Sequence, residues 1–461
     1  MKDVIIVGGG ITGLATGYLL SERYGRKVLI LEKEPHVGGK ARTEYQDGFT
    51  TELGTNGWLD KEPAMRTLID MLEINQRVQP SDDAAGRRFI YREGHLRELH
   101  MHPLKFMMGS ALPFFARLRV AMEPFVSPKT GEDDETLADF ATRRLGPKAT
   151  ELLIGPMASG VYAGDPSKMS IKSCFSKVHA LESRHGGLIK GMIALKKQKK
   201  AAGEDPKTVQ AGPSGKLTSL KGGVQDLVDS LASHLDGCIH TDTTVAKIRK
   251  SAHGFEVITT QATTFNAKSL LSASPAWAAS TYLASLDEDV ADAFSGIPYP
   301  ALDVVCLGFP SEQITTSLNR FGFLVPRGQG VTLLGSLFTS TIFPGRSPEG
   351  HILLRNMIGG MLAPEIAGME QDAVVELVRR DLQTTLDIPM DLKPSFQKVY
   401  RHERAIPQYH VGHEQLKDRI KAAESRVPGF FASGNAIKGI AMIDCVREAF
   451  VTADSIHQFL G

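Results

Sequence analysis

Hydrophobic and polar residues recur along this chain with the two periods of strands and helices. The chain opens with four consecutive apolar residues, Val4 to Val7, which is typical of a strand buried on both faces of a parallel sheet. A helical pattern follows through Leu14, Leu19 and Leu20, and a second strand is predicted from Lys27 to Leu31. We therefore expect the chain to begin with a βαβ unit.

The remaining chain continues to mix the two periods. A hairpin is predicted over 87–96 with its turn at Glu93 and Gly94, and a mostly β stretch, 297–400, contains a predicted helix over 370–386. Further strands are predicted at 244–248, 255–258, 269–275, 303–308, 322–326, 331–338, 352–358 and 429–433, and a final helix at 440–459. The expected fold class is therefore mixed α/β (α+β), and the late strands are expected to return to the first sheet.

The first strand runs directly into a glycine-rich turn. Gly8, Gly10 and Gly13 match the pattern G-x-G-x-x-G, and Glu32 ends the second predicted strand. The first glycine permits the tight turn, the second lets a pyrophosphate approach, and the third lets helix and strand pack closely. Amides at the helix N-terminus would hold the phosphates, and the Glu32 carboxylate would bind an adenosine ribose. Because these parts are in register, we predict a Rossmann-like dinucleotide site rather than a plain turn.

A second glycine-rich stretch indicates which dinucleotide is bound. Residues 38–42 read G-G-K-A-R, and residues 52–57 read E-L-G-T-N-G. This combination looks like the second signature of FAD-dependent, amine-oxidase-like flavoproteins. The resemblance implies that Arg42 lies near the diphosphate and that Gly54 to Gly57 let the backbone pass close to the flavin. FAD is therefore the predicted cofactor.

Composition excludes several classes of protein. The 461 residues are 42% hydrophobic and 23% charged with a net charge of +1, which predicts a globular protein without a general attraction to nucleic acid. The cysteines, Cys174, Cys238, Cys306 and Cys445, are far apart, which favours a reducing, cytoplasmic compartment. The first strand begins at Val4, so no signal or transit peptide is expected, and no apolar run reaches the roughly 18 residues of a membrane-spanning helix.

Two segments allow more than one interpretation. Residues 103–126 are apolar with scattered cations: they predict either a buried helix pair broken at Pro113 or an interfacial segment with cations at lipid headgroups. Residues 190–221 are rich in lysine and interrupted by glycine and proline, which favours a solvated loop over contact with anionic lipid. The small residues of 155–166 indicate a place where the backbone approaches a ligand.

Four motifs in the middle and at the end of the chain carry a more specific resemblance. They are G-V-Y-A-G-D-P at 160–166, F-G-F-L-V-P at 321–326, A-I-P-Q-Y at 405–409 and Gly434-Asn435. With them, the chain resembles the oxygen-dependent, FAD-containing protoporphyrinogen oxidase family over essentially its whole length. The resemblance implies an FAD-binding domain in three parts (1–85, 215–296 and 401–461), a helical membrane-associating region (86–214) and a β-rich substrate domain (297–400).

The resemblance also implies a reaction and its partners. The family oxidises protoporphyrinogen IX to protoporphyrin IX by six electrons, with FAD as hydride acceptor and O₂ as oxidant. Arg88 matches the position that anchors a substrate propionate, and the fork of an arginine suits a carboxylate. Leu324, Leu337 and Met357 match an apolar clamp over the macrocycle, and the segment around Gly160 would bring carbonyls near the pyrrole N–H groups. The membrane interpretation of 103–126 becomes the favoured one, while a homodimer and transfer of product to a ferrochelatase stay open.

The cofactor contacts implied by the same resemblance are spread over the three parts of the FAD-binding domain. They are Gly8, Gly9, Gly10, Ile11, Thr12, Gly13, Glu32, Gly39, Lys40, Arg42, Gly54, Thr55, Asn56, Gly57, Val245, Gly434, Asn435, Ile440, Ala441 and Met442. No catalytic base is predicted, because a porphyrinogen carbon is activated by its own pyrroles and positioning by the protein suffices. No metal site is predicted either, because the histidine pairs in the sequence lack carboxylate or cysteine partners.

Three alternatives to this function remain at the level of sequence. A coproporphyrinogen III oxidase of the same fold would act on a tetracarboxylate and would need more cationic anchors than Arg88. An amine oxidase would need aromatic residues around the flavin, and only Trp58 and Trp277 are available as tryptophans. A non-catalytic flavin- or porphyrin-binding protein would show no reduction of its flavin by a porphyrinogen.

Overall fold

The computed structural model describes residues 1–100, 102–131, 133–203 and 215–461. Its strands are β1 (Lys2–Val7), β2 (Val28–Leu31), β3 (Thr43–Gln46), β4 (Phe49–Glu52), β5 (Trp58–Leu59), β6 (Val78–Pro80), β7 (Arg88–Arg92), β8 (His95–Glu98), β9 (Leu217–Leu220), β10 (Ile239–His240), β11 (Val245–Ser251), β12 (Gly254–Thr259), β13 (Thr264–Ser272), β14 (Leu302–Pro310), β15 (Gly322–Leu324), β16 (Gly335–Phe338), β17 (His351–Gly359), β18 (Phe396–His402) and β19 (Phe430–Ala432).

The helices alternate with these strands and also form a separate helical region. They are α1 (Ile11–Tyr18), α2 (Pro63–Met71), α3 (Pro103–Met108), α4 (Phe114–Ala121), α5 (Leu137–Leu145), α6 (Pro147–Ala149), α7 (Gly155–Tyr162), α8 (Ile171–Cys174), α9 (Ser176–His185), α10 (Leu188–Ala201), α11 (Gln225–Ser233), α12 (Ala276–Leu283), α13 (Glu288–Ser295), α14 (Thr339–Ile342), α15 (Gln371–Leu386), α16 (His413–Arg426) and α17 (Met442–Leu460). The helical region comprises α3 to α10 and lies between β8 and β9 in the chain.

The first sheet has the order β10-β2-β1-β13-β12-β11, with β19 beside β13. Its centre is parallel: Ile5 lies opposite Leu29 on one side and Leu270 on the other. Val4 to Val7 are all buried, because α1, α11 and α17 cover one face of the sheet and α12, α13 and α16 cover the other. The predicted βαβ unit and the return of the late strands to this sheet are therefore confirmed.

The second sheet has the order β18-β14-β17-β16-β15-β7-β8 and is antiparallel apart from the pair β7 and β15. One face packs on α15 through a core that includes Phe89, Phe309 and Phe338. At the β14 and β18 end, the other face packs on the β3–β4 hairpin through Phe49 and Tyr400. The predicted hairpin over 87–96 is confirmed as β7 and β8, and it pairs with this sheet although it precedes the helical region.

The lysine-rich segment differs from the prediction of a solvated loop. Residues Leu188–Ala201 form the helix α10, and residues 204–214 of the segment lie outside the described residues. The buried Glu123 carboxylate accepts hydrogen bonds from the N–H groups of Leu188 (2.7 Å) and Ile189 (3.0 Å), which satisfies the start of the helix. Lysine is a good helix former and is favourable in the last turn, so these residues support the helix.

The segment 103–126 is not the buried helix pair that one interpretation predicted. The break at Pro113 is confirmed, since α3 ends before it and α4 begins after it, but neither helix contains a buried residue. Met108 and Phe115 are exposed, and Arg117 donates to the carbonyls of Met107 and Gly109 instead of pointing away from the protein. Within the described parts of the chain, no helix is both long and apolar enough to span a bilayer.

Candidate active site

The glycine-rich turn after β1 has the close contacts that the motif predicts. Gly8 has a φ of +112°, and a Cβ added there would lie 2.9 Å from the backbone carbonyl of Ala273. A Cβ at Gly13 would overlap the Gly8 carbonyl oxygen, so α1 packs directly on the turn. A Cβ at Gly10 would meet open space, and α1 begins there without a side-chain cap or an acidic first turn. This arrangement leaves the helix N-terminus free to bind a diphosphate.

Glu32 lies at the end of β2 beside the same turn. Its Oε2 accepts a hydrogen bond from the N–H of Gly9 (2.7 Å), and its Oε1 accepts one from the N–H of Glu34 (3.0 Å). The backbone N–H of Thr243 donates to the Glu32 carbonyl (2.8 Å), which brings the start of β11, with the buried Val245, to this edge. Glu32 and the start of β11 thus lie beside the glycine-rich turn, where the sequence predicts the adenosine of FAD.

The second glycine-rich stretch packs against the first. The N–H of Gly38 donates to the Gly9 carbonyl (2.8 Å), and a Cβ at Gly39 would lie 3.5 Å from the Cα of Gly10. The Lys40 ammonium donates to the carbonyls of Arg404 (2.6 Å) and Ala405, and burial lowers the pKa of Lys40 to about 8. Lys40 therefore joins the first and last parts of the predicted FAD-binding domain.

Arg42 and the loop 54–57 continue from this stretch. The Arg42 guanidinium contacts the His36 ring (2.5 Å), and the Arg42 carbonyl accepts from the N–H of Leu53 (3.0 Å). Gly54 packs against Lys40, and Thr55 donates through its hydroxyl to the Gly57 carbonyl (3.0 Å). Gly57 has a φ of +146° and lies against the Thr218 carbonyl. This loop therefore runs closely packed between the glycine-rich stretch and β9.

Asn56, at the tip of that loop, has unpaired polar atoms. Both its amide nitrogen and its amide oxygen are buried without a hydrogen-bond partner among the described residues. A buried amide without partners costs free energy, so such a group is usually satisfied by a ligand or water. A flavin ring, which carries both donors and acceptors, provides groups that an amide can pair with.

The C-terminal part of the chain also lies beside the glycine-rich turn. A Cβ at Gly434 would lie 3.7 Å from the Thr12 hydroxyl, and the Tyr409 hydroxyl donates to the Asn435 carbonyl (2.5 Å). Ile440 and Ala441 lead into α17, which starts at Met442 without a side-chain cap. Together, the three parts of the chain provide helix N-termini, close backbone approaches and an unpaired amide, a set of residues that fits FAD.

The predicted substrate residues lie on one face of the second sheet. Across β7, β15, β16 and β17 the register aligns Arg88 with Gly322, Gly322 with Leu337, and Leu337 with Arg355. In the next row of that face, Leu324 is opposite Gly335, which is opposite Met357. Side chains at every second position share a face, so Arg88, Leu324, Leu337 and Met357 share theirs. Each is partly exposed in a strand whose other residues are mostly buried.

Gly160 approaches that face from the helical region. It lies in α7, and a Cβ added there would lie 2.5 Å from the Cδ2 of Leu324. The segment 155–162 is helical, so most of its backbone polar groups are used within the helix. The close approach at Gly160 is therefore to a neighbouring side chain, and contact of its carbonyls with a substrate stays a prediction.

Arg88 differs from the arginine beside it. The Arg87 guanidinium forms an ion pair with Glu98 (2.5 Å) on the outside of the sheet. The Arg88 guanidinium lies over the Phe321 ring at 5.5 Å, and no acidic partner accompanies it among the described residues. Burial lowers the pKa of Arg88 from its ordinary value, although an arginine keeps its charge at neutral pH. Arg88 is thus a half-buried cation available to an anionic group.

The structure adds residues that the sequence analysis missed. Arg355 donates to the carbonyls of Gly54 (2.5 Å) and Glu52 (3.4 Å), and the ring of His402 bonds the Leu53 carbonyl (2.9 Å). Burial lowers the pKa of His402, which favours its neutral form. An arginine within the apolar run 352–358, two positions before Met357, was a signal that could have identified Arg355.

Comparisons with known proteins identify relatives of this chain. The family model of flavin-containing amine oxidoreductases matches residues 11–457. The chain is 32% identical to the chloroplastic protoporphyrinogen oxidase of Nicotiana tabacum over 100% of its own length and 86% of that protein's. It is 28% identical to the coproporphyrinogen III oxidase of Bacillus subtilis (strain 168), covering 97% and 96% of the two chains. A crystal structure from Exiguobacterium sp. 255-15, of a protein provisionally named protoporphyrinogen oxidase, superimposes with a TM-score of 0.84 at 23% identity over 99% of each chain.

Proposed function

Because this chain belongs to the flavin-containing amine oxidoreductase family, we propose that it oxidises protoporphyrinogen IX to protoporphyrin IX with O₂ as the oxidant. The observation that carries the proposal is Arg88, a half-buried cation without an acidic partner among the described residues, beside a row of apolar side chains. A porphyrinogen presents the matching chemistry, because it has a large apolar macrocycle with carboxylates at its edge. Relatives with protoporphyrinogen oxidase in their names, 32% identical over the full chain, support the same substrate.

FAD is the cofactor of this enzyme, and when bound it supplies the hydride acceptor for the oxidation. The N-terminus of α1 and the turn Gly8 to Gly13 would hold its diphosphate, and Glu32 would hold its ribose. Asn56, with its buried unpaired amide, would contact the flavin ring. The protein's contribution to catalysis is to hold the macrocycle against the flavin and to exclude water from the contact.

The second sheet would hold the macrocycle. Leu324, Leu337 and Met357 would form the apolar surface for its rings, and Gly160 of α7 packs closely on Leu324 at this surface. Arg88 would bind one propionate through two parallel hydrogen bonds, which fixes the orientation of the ring as well as its position.

The charges near Arg88 favour a dicarboxylate substrate over the tetracarboxylate coproporphyrinogen III. A tetracarboxylate would use additional cations, but the other arginines of the β7–β8 hairpin and the arginine before it are paired with glutamates. Arg87 binds Glu98, while Arg92 and Arg97 both bind Glu93 (3.2 and 3.0 Å). The 28% identity to a coproporphyrinogen III oxidase keeps that reaction as the second candidate.

An amine substrate is less well supported by the same residues. Trp58 is buried in the core of the first sheet, and Trp277 is covered by the cations of Lys33 (5.0 Å) and Arg404 (4.8 Å). Neither tryptophan is therefore available to form an aromatic cage around a flavin, which an amine oxidase would need.

The test is an anaerobic reduction of the purified holoenzyme. We would mix it separately with protoporphyrinogen IX and coproporphyrinogen III and follow the loss of flavin absorbance in a stopped-flow instrument. Faster loss with protoporphyrinogen IX is the expected result. Faster loss with coproporphyrinogen III would move the enzyme to the second candidate, and no loss with either would contradict both.

Substitution of Arg88 tests the anchor within that reaction. Arg88→Ala should raise KM for protoporphyrinogen IX by about tenfold to a hundredfold, because it removes a charge-assisted contact of about 1.5–3 kcal/mol. Bound FAD should be unchanged. Arg87→Ala is the matched control, because Arg87 lies next to Arg88 in the chain but its guanidinium is paired with Glu98. The KM of this variant should equal that of the parent. If the KM of Arg88→Ala equalled that of Arg87→Ala, the propionate anchor would lie elsewhere.

We also propose that the surface formed by α3, α4 and residues 122–125 docks on a membrane. Its apolar side chains are exposed well beyond what is usual for a globular surface: Phe115 is 81% and Phe125 is 84% exposed. A lipid layer would cover these side chains, and a porphyrinogen is itself apolar enough to be delivered from one.

A further inference from the structure

The strand that carries the predicted clamp residue Met357 also carries a buried arginine whose partners are backbone carbonyls. Arg355 is 5% exposed, and it shares a face of the second sheet with Arg88 and Met357. Its Nη2 donates to the Gly54 carbonyl (2.5 Å), and its Nε donates to the Glu52 carbonyl (3.4 Å). The two acceptors are at the point where β4 enters the loop 54–57.

A second side chain of the same sheet binds the carbonyl of Leu53, which lies between the carbonyls of Glu52 and Gly54. His402, at the end of β18, bonds the Leu53 carbonyl at 2.9 Å. Burial disfavours the charged form of His402, so Arg355 is the only one of these two groups that carries a permanent charge. Three consecutive carbonyls, those of residues 52 to 54, are thus held by side chains from the substrate face.

The charge of Arg355 is not neutralised by a direct carboxylate contact. The nearby carboxylate of Glu52 accepts from the Thr43 hydroxyl (2.7 Å) and the Val224 N–H (3.2 Å), and it forms its ion pair with Arg346 (3.2 Å). Arg355 therefore brings a buried positive charge, bound only to neutral carbonyls among the described residues, to the start of the loop that contains the unpaired Asn56. Buried charges act strongly because little water screens them.

We propose that Arg355 is a positioning residue that couples the substrate-binding sheet to the flavin-facing loop and raises the reduction potential of the bound flavin. This inference rests on the proposed placement of residues 54–57 against the flavin. The guanidinium holds the loop backbone through two carbonyls, and its positive charge favours the form of the cofactor that has gained electrons. One side chain thus links β17 of the substrate-binding sheet to the flavin-facing loop.

The test separates charge from geometry with two substitutions in the purified holoenzyme. Arg355→Met removes the charge and both hydrogen bonds, whereas Arg355→Lys keeps the charge but cannot span both carbonyls. We would measure the midpoint potential of the bound flavin by spectroelectrochemical titration, which requires no porphyrinogen, and the FAD dissociation constant. The Met variant should have a more negative potential than the parent, and the Lys variant should stay close to the parent potential while binding FAD more weakly.

Turnover gives the second readout. With protoporphyrinogen IX, Arg355→Met should lower kcat by about tenfold or more with little change in KM, because misplacing the reacting groups slows the chemical step. This is the opposite of the KM effect expected for Arg88→Ala. If the parent enzyme were not reduced by any porphyrinogen, the proposed function would fail, but the potentials of the variants would still test the role of Arg355.

Arg346→Met is the matched control. Arg346 is also buried and belongs to the same charge cluster through Glu52, but it donates to Ser219 and Leu220 rather than to the carbonyls of 52–54. It should lose stability and keep the parent potential. If Arg355→Met also kept the parent potential, or if Arg346→Met lowered it equally, Arg355 would have a purely structural role and the proposal would be overturned.

Discussion

The first sheet and the helical region differ in what they bury. In the first sheet the buried residues are mostly apolar, such as Val4 to Val7, and the glycine-rich turn and Glu32 lie at strand ends where the cofactor is expected. In the helical region two charged side chains, Arg144 and Glu123, are 0% exposed, while Phe115 and Phe125 point away from the protein. The first sheet therefore has an ordinary apolar core, whereas the helical region buries charged side chains and exposes large apolar ones.

The buried charges connect several segments of the helical region, beside small apolar clusters that include Phe140 and Leu112. The Glu123 carboxylate binds the Arg144 guanidinium and the start of α10, and Arg144 also donates to Glu182 (3.2 Å) and the Val126 carbonyl (2.9 Å). The network joins the segment after α4 to α5, α9 and α10. These buried ion pairs and hydrogen bonds hold the helices together where the exposed phenylalanines do not pack against the protein. The phenylalanine side chains are therefore available to contact lipid.

The largest effect is expected at the turn of the first sheet. Gly13→Ala should abolish FAD binding, because the new Cβ would overlap the Gly8 carbonyl oxygen and push α1 away from the turn. The measurement is the ratio of flavin to protein absorbance after purification. Gly86→Ala is the control, since a Cβ there meets nothing within 4 Å, and its flavin content should equal that of the parent. Full flavin content in Gly13→Ala would show that the turn is not the diphosphate site.

The next effect is expected in the buried ion network. Arg144→Met should lower the free energy of unfolding by about 3–5 kcal/mol, because it leaves the Glu123 charge buried without its partner. The double variant Arg144→Met, Glu123→Gln removes that charge and should recover part of the loss, since glutamine still accepts from the N-terminus of α10. Urea unfolding followed by circular dichroism gives both values.

Additive effects of the two substitutions on the free energy of unfolding would contradict a role for the Arg144–Glu123 ion pair. If the double variant were less stable than Arg144→Met by the full cost of Glu123→Gln alone, the two side chains would contribute independently. The helical region would then depend on apolar packing, as the first sheet does, and the contrast between the two regions would disappear.

The same contrast explains what the sequence could predict. The βαβ unit was predictable because its signals are local: an apolar strand, three glycines at fixed spacing and an acidic strand end. Leu324, Leu337 and Met357 lie on one face of the sheet, as expected from the alternation of side chains along strands. Their predicted roles came from the family resemblance. The contacts of Arg355 and His402 were not predictable, because their partners at 52–54 lie about 300 and 350 positions away in the chain.

The helical region was harder to predict for the same reason. The lysine-rich segment 190–221 was expected to be a loop, but its residues up to 201 belong to a helix that begins where Glu123, more than 60 residues earlier, accepts two backbone N–H groups. Likewise, a pattern of apolar residues at 103–126 indicates a helix pair without indicating whether protein or lipid covers it. Burial depends on partners that are distant in sequence.

The smallest effect on stability is expected on the exposed apolar surface. Phe115→Ser combined with Phe125→Ser should change the unfolding free energy by less than about 1 kcal/mol, because both side chains are exposed in the folded protein. The same variant should bind vesicles of phosphatidylcholine and phosphatidylglycerol at least about tenfold more weakly, because each buried phenylalanine contributes about 1.5–3 kcal/mol to transfer out of water. Sedimentation with sucrose-loaded vesicles measures the partition.

Val451→Ser combined with Phe459→Ser is the matched control for that variant. These residues are 56% and 46% exposed on α17, away from the helical region, so the substitution removes exposed apolar surface without altering the proposed docking surface. Its vesicle binding should equal that of the parent. Equal weakening by the two double variants would mean that general surface hydrophobicity drives the binding. Unchanged binding by both would mean that the phenylalanines of the helical region face a protein partner or water instead of lipid.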